Sequence, residues 1–382
     1  MKTVKNIVKE KEYDKFKCIA DKCKYTCCKG WDINVDIKTY GRWKENHDLN
    51  YLLDNVRFIK SNGENSFIIK KETKGTCPLL SDEGLCNIVI NHGEEYLSST
   101  CSSFPRIENN FEDVKELTLS CACPEVVNII SDMKEKPSIE ANEALSYIED
   151  LGSLKIRETL INILQKKDIT IENKFMLSYN ILFNILDSDD LDYEALIEVL
   201  EDYKSEKYIK EELNKYRGYE NRNNIKYLKE LNSLFIDIIE NYRNVSIFEE
   251  ALKDIYKIAE GISIENTLEP WKNFKSLFEG YDLLLENFIV SKVLSSCVSD
   301  DLEELIIAFE MIILEYLFIR YAIFLRYCSN LNKEINIQDI KDYIVIFSRI
   351  IGNNSDAVIG FLLDIFESEI LEFNYISSLL LV

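Results

Sequence analysis

Through the later two-thirds of the chain, apolar residues return at helical spacing and few glycines or prolines interrupt them. Phe175, Leu177, Ile181, Leu182, Ile185 and Leu186 recur at intervals of one to four and line one broad face, with Tyr179 between them. The same spacing predicts helices over 193–203, 225–242, 247–258, 272–296, 301–327, 337–351 and 357–372. Asp300, just before Asp301-Leu302-Glu303-Glu304, predicts an acidic N-terminus for the most apolar of these, favoured by capping and by the helix dipole. No repeat period stands out, so nothing points to a solenoid.

The pattern before about residue 135 is different. Apolar runs at 67–70 and 117–120 are short enough for strands, and the second delivers Cys121 and Cys123. Asp36 before Ile37-Lys38-Thr39-Tyr40 predicts the N-cap of a short helix running toward Trp43, and Pro124 predicts the first residue of a helix over 124–130. Three of the five prolines and half of the twelve glycines fall in this region, which makes it loop-rich. The expected fold is mainly α: a small, loop-rich, cysteine-rich α+β metal-binding part over 1–135, then a large all-α array of helices over 136–382.

Composition narrows the partners. With 46% hydrophobic residues over 382 positions there is ample material for a core. The net charge of −22, from 67 acidic against 45 basic residues, argues against a nucleic-acid partner, which needs a basic face. Acidity spread over helix surfaces for solubility is the plain reading; a surface that steers a lysine-rich or amine-bearing partner is the alternative. The stretch 305–326 is apolar enough to invite a membrane reading, but Glu310, Glu315, Arg320 and Arg326 interrupt it, so a central buried helix is expected and no transmembrane span. The first residues have no apolar core of a signal peptide, and a cytoplasmic location is expected. Oligomeric state is left open, a homo-oligomer included.

The chemistry gathers at the cysteines. Cys18, Cys23, Cys27 and Cys28 fall within eleven positions, and Cys77, Cys86, Cys101, Cys121 and Cys123 follow; Cys297 and Cys328 stand apart. Disulfides would need an oxidising compartment. Zinc sites usually use paired short knuckles or histidine, whereas His47 and His92 are the chain's only histidines and the spacings are irregular. An iron–sulfur centre accepts thiolates from scattered positions, so iron–sulfur and zinc both stay open. The run Cys18-x4-Cys23-x3-Cys27-Cys28 lacks the C-x3-C-x2-C spacing of a radical-SAM enzyme, because Gly30 stands where its third cysteine would be.

Dinucleotide-binding, P-loop and nucleophile-elbow signatures are absent from the sequence, as is the glycine-rich turn of a Rossmann methyltransferase. Near the cysteines, Trp31, Asp32 and Asp36 admit two readings: Trp31 shielding a cluster and Asp36 capping a helix, or a part in binding substrate. Arg106 after Pro105 similarly fits either a structural ion pair or bidentate capture of a carboxylate such as that of a methionine moiety.

Taken together, Cys27-Cys28-Lys29-Gly30-Trp31-Asp32, Cys77-Pro78-Leu79-Leu80, Gly84-Leu85-Cys86, Phe104-Pro105-Arg106 and Cys123-Pro124-Glu125-Val126 resemble the flagellin lysine-N-methylase family, within the wider cysteine-rich group described as zinc- or iron-chelating. The resemblance covers about the first 130 residues and, more weakly, the stretch from Tyr281 to Phe288 with the apolar helix after it. It implies transfer of methyl groups from S-adenosylmethionine to lysine ε-amines of flagellin in the bacterial flagellum, with a [4Fe-4S] cluster, or zinc as the alternative. The implied thiolates are Cys18, Cys23, Cys27, Cys28, Cys77, Cys86, Cys101 and Cys123; the match identifies no residue that contacts the methyl donor, so Trp31, Asp32 and Arg106 stand as cofactor-side candidates from the residues alone. Eight exceeds the four that one cluster needs, so either two sites exist or some of these thiols stand behind the ligands. Cys121 departs from the pattern and is read as an extra or substitute ligand. A non-catalytic zinc- or iron-binding module that docks on a partner protein is the competing function.

Overall fold

Two small sheets and a helical array make up the computed structural model, which describes residues 6–61, 64–72, 75–111, 114–137, 139–141, 152–188, 192–216, 224–353, 355–366 and 373–382. One sheet has the order β5-β6-β1-β7, from β1 (Asn6–Glu10), β5 (Arg106–Phe111), β6 (Val114–Leu119) and β7 (Ile139–Ala141). In it β1 runs parallel to β6, while β5 and β7 are antiparallel to their neighbours. The other has the order β2-β4-β3, from β2 (Asn34–Val35), β3 (Val56–Ser61) and β4 (Glu64–Ile69). Short helices fill the gaps: α1 (Ile37–Glu45), α2 (Asn50–Leu53), α3 (Asn87–His92), α4 (Ser99–Ser103) and α5 (Pro124–Asp132). Asp36 caps α1 as expected, its Oδ1 accepting from the Thr39 amide at 2.9 Å, and Pro124 opens α5.

The array consists of α6 (Gly152–Leu164), α7 (Ile171–Leu186), α8 (Tyr193–Asp202), α9 (Glu206–Tyr216), α10 (Asn224–Glu240), α11 (Glu249–Gly261), α12 (Leu268–Phe278), α13 (Asp282–Ser296), α14 (Leu302–Ser329), α15 (Ile337–Phe347), α16 (Ser355–Phe366) and α17 (Phe373–Leu380). Helix α14 is apolar on every side because other helices surround it, which is the condition under which such a helix is stable in water. Each charge that interrupts it has a partner. Glu310 accepts from the Tyr179 hydroxyl, and Glu315 pairs with Lys292 at 2.8 Å and accepts from Ser348 at 3.0 Å. Arg320 pairs with Glu172 at 2.7 Å and donates to the Leu379 and Leu380 carbonyls, while Arg326 donates to Tyr343 at 3.0 Å. No helix among the described residues is long and apolar enough to cross a membrane.

The structure departs from the sequence pattern at several places. The segment 272–296 is two helices, α12 and α13, parted by a tight turn at Glu279–Tyr281 around Gly280, and both halves pack on α14. The cap of α14 is Asp301, whose Oδ1 accepts from the Glu304 amide at 3.0 Å; Asp300 instead accepts from the Ser153 hydroxyl. After α15 the chain widens into a π turn over Ser348–Gly352. Strand β7 lengthens the N-terminal sheet where helical periodicity was expected to begin, and α6, α9 and α17 add to the helices that periodicity singled out. Positions 367–372 of the helix expected at 357–372 lie outside the described residues.

Buried apolar residues form two cores. The larger occupies the helical array and takes in Tyr25, Cys121 and Cys123; the smaller lies among β2–β4 and α1–α3, with Cys77 inside it and Cys28, Trp31 and Cys86 packed against it. The cysteine loop therefore runs from one core to the other.

Candidate functional site

Backbone pairing fixes the cysteine loop before any side chain is considered. Lys29 and Thr76 form a bridge, the Cys77 amide donates to the Cys28 carbonyl at 2.8 Å, and a second bridge joins Leu80 to Cys86. Cys28, Cys77 and Cys86 are thus carried by two crossing loops, and Ser98 caps the turn that presents Cys101, its hydroxyl accepting from the Cys101 amide at 3.2 Å. Gly30 sits at φ +86°, a conformation open to glycine, and a Cβ there would stand 2.8 Å from Ile247 of the helical array. Cys123 follows β6 as the N-cap of α5, where the Glu125 and Val126 amides favour its thiolate.

All eleven cysteines are free thiols. The adjacent Cys27 and Cys28 thiols are hydrogen-bonded to each other, which pulls the Cys28 pKa down and pushes that of Cys27 up. Cys28 lies near Cys77, Cys86 and Cys101, with Lys71 beside them; Cys23 lies near Cys123 and Cys18, and burial pushes its thiol up. Two neighbourhoods emerge, joined through the Cys27-Cys28 pair. Burial pushes Cys77 up to about 12 and Cys101 and Cys123 up to about 11, so these thiols hold their protons at neutral pH unless a metal displaces them. The donor chemistry suits a thiophilic metal or an iron–sulfur cluster. Among the described residues, however, no three cysteine, histidine or carboxylate side chains already stand in a ligand arrangement. Cys121 points elsewhere: it is 2% exposed, inside the large core, in the field of Lys292 and bonded to Ser291.

Arg349, in the π turn after α15, reaches across from the helical array. Its guanidinium donates to the carbonyls of Ala122 at 2.8 Å and Thr26 at 3.2 Å and also to Tyr25. It lies 5.7 Å from the Trp31 ring centroid and in the field of Cys23, Cys27 and Cys123. Trp31 donates to the Cys27 carbonyl and packs edge-on against Phe104, so it covers the loop. Asp32 is largely exposed and lies 3.9 Å from Arg57. Arg106 donates to the Phe16 carbonyl at 3.3 Å and lies over the rings of Phe16 and Tyr13.

A cleft of about 670 Å³ opens between the cysteine loop and the helical array. Asp21, Cys23, Lys24, Tyr25 and Lys29 supply one wall; Glu250 and Asp254 of α11, Arg326 of α14, and Asp339, Asp342 and Tyr343 of α15 supply the other. Trp31, Asp32 and Arg106 are not among its lining residues. Sequence reasoning missed the carboxylates, because on α11 and α15 they read as ordinary solvated helix positions. It missed Arg349 as well, which stands in an apolar run that gives no sign of a distant partner.

A family profile described as the FliB lysine N-methylase C-terminal domain matches residues 157–379. The chain is 35% identical over 119 residues to the flagellar biosynthetic protein FliU of Salmonella muenchen, which covers 30% of this chain and 70% of that protein. It is 35% identical over 120 residues to the lysine-N-methylase of Salmonella typhimurium, covering 30% of each chain, and 35% over 119 residues to that of Salmonella choleraesuis, again 30% of each. The matched region thus spans under a third of the length of these two lysine-N-methylases. No solved structure matches the chain.

Proposed function

Because the chain belongs to the family of the FliB lysine N-methylase C-terminal domain, we propose that it is a protein lysine N-methyltransferase that carries the methyl group of S-adenosylmethionine to lysine ε-amines of flagellin. One observation carries this reading: the cleft has its second wall on α11, α14 and α15, all within the matched residues, and its first wall on the cysteine loop. In the reaction the lone pair of an unprotonated ε-amine forms the N–C bond as the S–C bond of the sulfonium breaks; S-adenosylhomocysteine leaves, and a base takes the amine's proton. Such a transfer needs the two groups held in line and away from bulk water. The cleft offers two facing walls for that alignment, with Tyr25 and Tyr343 as the buried side chains of its lining.

The cysteine loop is proposed to hold a [4Fe-4S] cluster through thiolates drawn from Cys18, Cys23, Cys27, Cys28, Cys77, Cys86, Cys101 and Cys123. When bound, the cluster supplies a redox-active centre and staples the loops. Arg349 would hold the loop carbonyls beside it, and Trp31 would exclude water. Such a protein works in the cytoplasm, where thiols stay reduced.

The test is intact-mass analysis of flagellin co-expressed with the full chain. Methyl increments on lysines, absent when the chain is omitted, support the reading; unmodified flagellin rejects it. Iron, acid-labile sulfide and zinc contents of anaerobically purified protein decide the metal. Stoichiometric zinc without sulfide would favour a scaffold role for the cysteines.

A further inference from the structure

We infer that a second cavity, between the N-terminal sheet and helices α6 and α13, is a binding site for a neutral small molecule with an aliphatic body and one hydroxyl or N–H donor. The inference stands apart from the methylase reading. The cavity is about 430 Å³, a size that suits a small organic ligand, and it shares no lining residue with the cysteine cleft. Val8 of β1, Val114 of β6, Leu154 and Ile161 of α6, and Val290 and Leu294 of α13 give it aliphatic walls. Its charged residues cancel. Glu116 of β6 is paired with Arg157 of α6, and the exposed Lys155 and Glu158 pair with each other at 3.1 Å.

The second observation is a buried acceptor with nothing to accept. Glu116 is 8% exposed; its Oε1 accepts from Arg157, while Oε2 has no hydrogen-bond partner among the described residues. Burial pushes this carboxyl up against the pull of Arg157, so the open oxygen is a standing cost that a ligand donor would relieve. The pair is held in place. Arg157 also donates to the Cys297 carbonyl at 3.4 Å and lies 5.0 Å from the Phe111 ring centroid. Because Arg157 already neutralises Glu116, a charged ligand would enter an apolar site with no counter-charge, whereas a neutral donor needs only Oε2. Water is the poorer occupant, since a buried water needs several polar partners and the walls here are aliphatic.

The test uses the full chain, purified with its metal, in ligand-observed NMR titrations against two isomers of one formula: octan-1-ol, which donates a hydrogen bond, and 1-methoxyheptane, which cannot. The expected result is saturable binding of the alcohol, about tenfold tighter than that of the ether, because only the alcohol meets Oε2. Leu154→Trp, at a half-buried position that borders the cavity, should fill it and abolish binding of both. Glu116→Gln replaces the open oxygen by an amide nitrogen, so the preference for the alcohol should disappear. Circular dichroism checks that each variant is folded; should Glu116→Gln fail to fold, the isomer pair and the Leu154 variant still decide. No saturable binding of the alcohol by the wild type, equal affinities for the two isomers, undiminished binding by Leu154→Trp, or a preference that survives in folded Glu116→Gln overturns the inference. Methyl transfer to flagellin is read separately, and neither result depends on the other.

Discussion

Arg349 donates its Nε hydrogen to the carbonyl oxygen of Ala122 at 2.8 Å, a contact between residues 227 positions apart. The same side chain holds Thr26, so one guanidinium pins the two segments that carry Cys23, Cys27, Cys121 and Cys123 to the helical array. Its fork geometry matters as much as its charge, because a lysine ammonium cannot reach three carbonyls at once. Arg349→Lys is expected to lose about 2–4 kcal/mol of stability and to speed labelling of Cys23 and Cys123 by a thiol reagent. Urea unfolding and timed alkylation check it; a variant within about 0.5 kcal/mol of wild type, equally protected, sinks the clamp.

Gly30 is the point where the cysteine loop comes closest to the array. Its φ of +86° and the 2.8 Å that would separate a Cβ from Ile247 Cγ2 both oppose a side chain. Gly30→Ala should cost about 1–3 kcal/mol, from backbone strain and overpacking together. Adding Ile247→Ala should recover the overpacking part, as denaturation of the single and double variants will show. No recovery would leave the backbone as the sole cause.

Glu310 carries a pH dependence of defined sign. Burial raises its carboxyl to about 7, so the folded chain keeps a proton that the unfolded chain releases near pH 4. Wild-type stability should therefore fall as pH rises from about 4 to 7, by up to about 3 kcal/mol. Glu310→Gln, which keeps the acceptor for Tyr179 but cannot ionise, should flatten that part of the profile and be the more stable protein at pH 8. Parallel pH dependences in the two proteins would refute the assignment.

Asp36 has the opposite sign. Although burial pushes its pKa up, hydrogen bonds from the Ser99 amide at 2.9 Å and from the Thr39 amide and hydroxyl hold it well below the carboxylate range. Its contribution is present above the unfolded value near 4 and lost as pH falls through the lower folded value. Asp36→Ala should cost about 1–2 kcal/mol at pH 7 and progressively less below pH 4. Unfolding measured at pH 7 and pH 3 compares the two; an equal loss at both would mean that the cap acts uncharged.

Metal content should divide the cysteines. Cys28→Ser and Cys77→Ser, on the crossing loops, should lose iron and sulfide from the purified protein. Cys121→Ser, which faces Ser291 and Lys292 in the large core, should keep them. Loss of iron in the Cys121 variant alone would place the ligands on the wrong side of the loop.

Much of this molecule was legible one segment at a time. The apolar period named the buried helix, and the charges inside it favoured a buried helix over a membrane span before their partners were seen. Asp36 and Pro124 are read correctly because a cap and a first helical residue need only their immediate neighbours. Asp300 was misplaced by one position for the same reason: two consecutive aspartates offer equal local chemistry, and contact with Ser153 on another helix decides between them. Strand β1 gave no pattern, since its parallel partner β6 lies about a hundred residues away.

The sequence by itself determined a helical array, a dense set of cysteines before it, and the family to which the chain belongs. Those are local and compositional properties, carried by spacing, capping and residue type. Tertiary structure alone decided which thiols share a neighbourhood, that Arg349 joins the cysteine loop to the array, and that carboxylates from α11 and α15 face Tyr25 across one cleft. The reason is physical. Burial and long-range electrostatics depend on which elements meet in space, and no residue's immediate neighbours carry that information.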